Sequence, residues 1–188
     1  MPTHDLVQVL ADEREIRRVV LRYCRGVDRG DVELIRSCYH PGSTDVHGNY
    51  RGDGRAFADY VVPVLAERYA ATTHAVHDSL IDLDGATAHV ETYVVAYHLS
   101  VEPIEQAHLY VFGGRYVDRF ERRDADWRIA DRIVLRDWSI RHPVAEDALG
   151  RELDEARVFR PGLRSRDDLG YPEALARWLS DRDAAAHG

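Results

Sequence analysis

Between Leu6 and Asp28, apolar residues recur at helical spacing. Ile16, Val19, Val20, Tyr23, Cys24 and Val27 make one stripe, and Asp12, Glu13, Arg17 and Arg18 take the opposite side. The spacing predicts an amphipathic helix with one face on a core. Gly30 breaks the pattern, and Asp31 is placed to cap a second helix running through Tyr39. After His40-Pro41-Gly42 comes a short extended piece, Ser43 to Tyr50. A third helix is predicted from Gly54 to Tyr69, burying Phe57, Tyr60, Val61, Val64 and Leu65, with Pro63 expected to kink or split it.

The period then changes from helical to alternating. His74 to Leu83, Ala86 to Val101, His108 to Arg122 and Trp127 to His142 read as four long strands, with Asp84-Gly85 and Asp124-Ala125-Asp126 as hairpin turns. Strands well beyond the usual ~5–6 residues require a bent sheet. Gly113-Gly114 offers a site for that bend. Three helices followed by a curved antiparallel meander describe an α+β fold in which helices laid across a concave face enclose a cavity.

Residues 143–188 read as a C-terminal extension beyond a 1–142 domain. Two short helices are expected there, near Glu146 to Val158 and Asp168 to Ala184, around the connector Arg160-Pro161-Gly162-Leu163-Arg164. Such a tail can cap the cavity, pack on a neighbouring subunit, or stay partly disordered.

Composition narrows the function classes. The 188 residues carry a formal net charge of −8 and no long basic run, which argues against a nucleic-acid partner. No apolar run approaches the ~20 residues of a membrane span. No basic start followed by an apolar stretch opens the chain, so a soluble, cytoplasmic protein without a signal peptide is expected. Cys24 and Cys38 lie in helical patterns and read as two buried thiols.

Several residues can carry chemistry. Asp28 ends the first helix within Arg25-Gly26-Val27-Asp28-Arg29-Gly30, where a carboxylate faces an unfavourable dipole and wants a partner. It reads either as a surface Asp paired with Arg25 or Arg29, or as part of a site. His74 at a strand mouth suits a general base, as does His77, and either reads equally well as a structural histidine. Being three apart on a strand, the two point to opposite faces. On the last strand Arg128, Arg132 and Arg136 alternate, and pattern alone leaves open whether they face solvent or line a cavity as anion-stabilising groups. His98, on the even-numbered face Val90, Thr92, Val94, Ala96, is a second acid–base candidate or a structural residue. The chain has no Gly-rich phosphate loop, no G-x-S-x-G elbow and no H-E-x-x-H, and Asp45-x-His47 is its best local chelate pair. No metal and no cofactor are expected.

Three stretches resemble the SnoaL-like group of the nuclear transport factor 2 superfamily: Leu21 to Asp31, His74 opening the first long strand, and the closing hairpin Gly114 to Arg123 with Trp127-Arg128-Ile129. The resemblance covers Leu6 to His142 and implies a cone-shaped α+β barrel. Its nearest look-alikes are hexachlorocyclohexane dehydrochlorinases, bile-acid dehydratases and scytalone dehydratase. By resemblance Asp28, His74 and Arg132 take the catalytic Asp, His and Arg places, and Tyr23 takes that of a Tyr five residues before the Asp. Five helical residues are a rotation of about 140°, so Tyr23 and Asp28 share a pocket only where it wraps around the helix end. His98, Trp138 and Tyr50 complete the set as candidate substrate contacts. The implied function is a cofactor-independent, dehydratase-like lyase acting on a hydrophobic cyclic or aromatic molecule through a His–Asp dyad. Alternatives on the same frame are an isomerase or polyketide-type cyclase, or a non-catalytic ligand-binding protein. Self-association as a trimer or dimer is also implied.

Overall fold

The computed structural model describes residues 3–102, 106–144 and 162–186. Helix α1 (Thr3–Arg29) carries the predicted stripe, with Ile16, Val19, Val20, Tyr23, Cys24 and Val27 all buried. A fully buried aliphatic side chain of this kind contributes about 1.5–3 kcal/mol relative to exposure. Asp12 departs from the expected polar face. It is buried because its carboxylate accepts from Trp127 Nε1 at 2.8 Å and from Arg122 Nη1 at 3.0 Å, anchoring α1 to the sheet.

Gly30 ends α1 in the left-handed conformation, with φ of 65°. Asp31 then caps helix α2 (Val32–Ser37), accepting from the Leu34 amide at 3.1 Å. The helix stops at Ser37 because Tyr39 already belongs to strand β1 (Tyr39–His47), which includes His40-Pro41-Gly42. Strand β1 makes a hairpin with β2 (Tyr50–Asp53). Helix α3 (Phe57–Arg68) continues through Pro63, which faces outward. It buries Phe57, Ala58, Val61 and Leu65, while Tyr60 is exposed, contrary to its expected place.

The four long strands are β3 (Tyr69–Asp84), β4 (Thr87–Ser100), β5 (His108–Arg123) and β6 (Asp126–Pro143). They form the antiparallel meander, and β1 adds in parallel to β6, giving the order β2-β1-β6-β5-β4-β3. The fold is α+β, with helices packed on this sheet. The sheet is open, with β2 and β3 as its edges, so the expected barrel is not closed.

Three of the register shifts in the sheet bend the strands and re-aim side chains. In β3, His77 and Asp78 stand opposite Tyr93 alone. In β6, Ala130 and Asp137 are each an extra residue against β5. Each extra residue exchanges the two faces of the strand beyond it. The helix-facing side of β6 therefore runs Trp127, Ile129, then Arg132, Val134, Arg136, then Ser139, Arg141.

The described part of the tail packs on the chain's own helices. Tyr171 donates its hydroxyl to Asp31 Oδ2 at 2.9 Å, Arg166 Nη2 reaches Asp31 Oδ1 at 3.1 Å, and Arg164 donates to the carbonyls of Leu65 and Tyr69 at 3.2 and 2.7 Å. The last helix, α4 (Pro172–Ala186), begins a turn later than the spacing predicts. The helix expected near Glu146 to Val158 lies outside the described residues.

Candidate active site

A cavity of about 820 Å³ is walled by the β1–β2 turn and by β3, β4, β5 and β6. His74, from β3, lines it. Asp28, at the end of α1, meets this histidine twice: Oδ1 lies 2.7 Å from His74 Nδ1, and Oδ2 accepts from the His74 backbone amide at 2.9 Å. The hydroxyl of Thr72 donates to Asp28 Oδ1 at 2.9 Å. The carboxylate thus finds along β3, which begins at Tyr69 and not at His74 as the spacing predicts, the partners its place at a helix C-terminus requires, not Arg25 or Arg29. Burial acts to raise the Asp28 carboxyl, but the His74 ring and amide and the Thr72 hydroxyl outweigh it and hold the group below the usual range. An ionised carboxylate only accepts, so it fixes the Nδ1–H tautomer of His74 and leaves Nε2 as a lone pair.

His98 shares the cavity, its ring 5.6 Å from that of His74 and 4.8 Å from that of Tyr69. Burial and the neighbouring His74 push its imidazole down to about 4. His77 is absent from the wall, on the opposite face of β3.

Tyr23 and Arg132 lie together, but behind the wall. Arg132 is fully buried, with Nε and Nη2 donating to Asp118 Oδ1 and Oδ2 at 2.7 and 2.6 Å across the β5–β6 ladder. Its guanidinium carbon sits 4.2 Å from the ring centres of both Tyr23 and Tyr116. Of these residues only Tyr116 reaches the cavity. The 140° rotation along α1 accounts for Tyr23: Asp28 reaches Thr72 and His74 on β3, and Tyr23 points into the core.

Trp138 and Tyr50 are also absent from the wall. The extra residue Asp137 turns Trp138 outward, where its indole covers Gly113 and stays 46% exposed. Tyr50 donates its hydroxyl to the Asp53 carbonyl at 2.8 Å and packs its ring 5.1 Å from that of Phe57. Their places are taken by residues not singled out from the sequence as substrate contacts: His47, Tyr110, Phe112 and, at the rim, Arg136 and Arg141. His47 was visible only as half of a chelate pair. Its Nδ1 stands 3.8 Å from Asp45 Oδ1, and the described residues hold no group of three or more side chains spaced to bind a metal.

Burial, with the Arg132 charge behind it, pushes the His47 imidazole down to about 3. His47 and His98 are therefore neutral in the fold and protonated below about 6.5 in the unfolded chain. At these two sites the unfolded state binds more protons across that window, so their contribution to stability rises with pH from about 4 to 6.5. Urea unfolding at pH 5 and pH 7 should differ by about 1–2 kcal/mol per imidazole, and His98→Phe should remove its share. A pH dependence left unchanged by His98→Phe would show that His98 titrates alike in the folded and unfolded chain.

The chain belongs to the SnoaL-like domain family, which matches residues 8–133. Among solved structures, a hexachlorocyclohexane dehydrochlorinase, LinA type 2, superposes with a TM-score of 0.65 at 18% identity, over 74% of this chain and 93% of that one. A scytalone dehydratase-like protein from Novosphingobium aromaticivorans gives 0.63 at 20% identity, over 80% and 99%. A protein from Kribbella flavida gives 0.63 at 16% identity, over 70% and 95%. At these identities the likeness establishes the shared fold, which by itself does not fix a reaction. No curated protein sequence matches the chain.

Proposed function

We propose that this chain is a cofactor-independent lyase that eliminates water, or another small neutral fragment, from a hydrophobic cyclic or aromatic molecule. The observation that carries the reading is the 2.7 Å contact between Asp28 and a cavity-lining His74, with the carboxylate further held by Thr72 and a backbone amide. His74 Nε2 removes a proton from a carbon next to a carbonyl, and Asp28 holds the ring and stabilises the imidazolium that forms. The released pair then forms the new double bond as the carbon–oxygen bond breaks. The leaving hydroxide takes the proton back from His74 and departs as water. The dehydratase and dehydrochlorinase names among the similar structures support this class of reaction.

Incubation of wild type and His74→Ala with a fractionated metabolite extract, read by mass spectrometry, tests the reading. A compound losing a small neutral fragment only with wild type is the expected result. Altered retention at constant mass would replace elimination by isomerisation or cyclisation in the same cavity. A ligand retained unchanged by both proteins would make the chain a binding protein.

Self-association belongs to the same proposal. Tyr93, Tyr97, Ile133 and Leu135 are exposed on the sheet face turned away from the helices, around Arg115 and its ion pairs to Glu91 and Asp137, and apolar side chains gathered on one face are of the kind that protein contacts cover.

A further inference from the structure

Elimination next to a carbonyl puts negative charge on the carbonyl oxygen, and something must receive it. Arg132 and Tyr23 do not reach the cavity, but His47 does. Its ring stacks on Phe57 at 4.7 Å and 13°, which fixes its plane. Its Nδ1 edge faces the interior, 3.5 Å from the Tyr23 hydroxyl and 3.8 Å from Asp45 Oδ1. Only the first of these is within hydrogen-bond reach. In the tautomer where Tyr23 donates to Nδ1, the ring carries its proton on Nε2, the nitrogen left for the cavity. Behind Tyr23 lies the Arg132 guanidinium, 4.2 Å from the phenol ring centre, its Nη1 buried without a hydrogen-bond partner among the described residues. Its positive charge against the ring strengthens the phenol as a donor.

We infer that His47 donates the hydrogen bond that receives the developing charge, so that the cavity takes a cyclic ketone with its acidic carbon toward His74 and its oxygen toward His47. Tyr23 and Arg132 act through His47 as positioning residues. The inference rests on the lyase reading for the direction of proton removal. No proton leaves His47. When His74 takes the carbon-bound proton, the carbonyl π pair moves onto oxygen, and the resulting enolate accepts Nε2–H. The pair returns as the leaving group departs. A neutral imidazole suits the task, and burial with the charges of Arg132, His74 and His98 around it keeps His47 uncharged. Asp45, whose carboxyl burial pushes up to about 6, is the opposing charge on the interior side, and its other oxygen is held by Tyr39.

The probe is 4-nitrophenol, whose phenolate resembles an enolate and whose ionisation is read by absorbance when bound. Wild type should favour bound phenolate over phenol by about tenfold or more. His47→Phe, which keeps the stack on Phe57, should lose that preference, Tyr23→Phe should reduce it, and His47→Gln should retain part of it through the amide N–H. A purely structural role would change affinity for both forms alike. An unchanged preference in His47→Phe overturns the inference and leaves the lyase reading standing. So does a preference lost in Arg136→Gln and kept in His47→Phe, which would move the anion site to the β6 rim. If wild type binds neither form, the apolar-ligand cavity fails, and the lyase reading falls with it. If His47→Phe does not fold by circular dichroism, His47→Gln and Tyr23→Phe carry the comparison.

Discussion

Replacing Arg132 with Met should lower the free energy of unfolding by about 3–5 kcal/mol, among the largest losses any single substitution in this chain would cause. The reason is Asp118. Both residues are fully buried, and the two parallel bonds at 2.7 and 2.6 Å are the carboxylate's compensation for leaving water. Burial pulls the arginine's affinity for its proton down, but Asp118 outweighs it and keeps the guanidinium charged. Without Arg132, Asp118 must either stay ionised and unpaired or take up a proton, which burial already favours. The double variant Arg132→Met with Asp118→Leu should recover most of the loss, because removing both charges removes the desolvation cost as well. Denaturant unfolding at neutral pH measures both. A loss below about 1 kcal/mol in the single variant would mean that Asp118 is already protonated in the fold, and the bonds would then run from a charged guanidinium to a neutral carboxyl.

The same pair shows how far the sequence could be read. The stripe on α1, the cap at Asp31 and the four long strands were legible because each is a local, periodic signal. Strand β6 was not. Its arginines mixed with apolar residues on both alternating faces, since the extra residues Ala130 and Asp137 exchange the faces twice. Once these are placed, Arg132 falls inward, Arg136 on the cavity and Trp138 outside, and the mixed pattern becomes an ordinary one. The parallel pairing of β1 with β6 was equally hidden, because it joins distant segments and follows from no local turn.

Legibility of the candidate site divides in a related way. Asp28 and His74 could be singled out by resemblance, and the end of α1 lying against β3 brings them together. Tyr23 and Arg132 were assigned by the same resemblance, yet direct contact with a substrate depends on depth, which no spacing along the chain encodes. His47 went unnoticed as a cavity residue because its neighbours there, the Phe57 ring and the Tyr23 hydroxyl, come from α3 and α1. Its signal exists only in three dimensions.

Asp28→Asn should reduce kcat/KM by on the order of 10²–10⁴-fold on whatever compound the extract experiment yields. The carboxylate and the amide are nearly the same size, so the argument concerns a proton and not a cavity. Asp28 Oδ1 accepts from both Thr72 and His74 Nδ1, while Oδ2 accepts from the His74 amide. An asparagine can serve the backbone amide with its single oxygen, but its NH2 then faces Nδ1 and the Thr72 hydroxyl. A donor there selects the opposite tautomer of His74, with the proton on Nε2, and a base whose lone pair points at that NH2 cannot take a proton from the cavity. Nitrogen NMR of the His74 ring reads this directly: Nδ1–H in wild type, Nε2–H in the variant. Stability should fall by much less than in Arg132→Met, because no buried charge is left unpaired. A variant that keeps the wild-type tautomer and turnover would remove Asp28 from the mechanism. One that switches tautomer yet retains turnover would show that His74 is not the base and would direct attention to His98, 5.6 Å away across the same cavity.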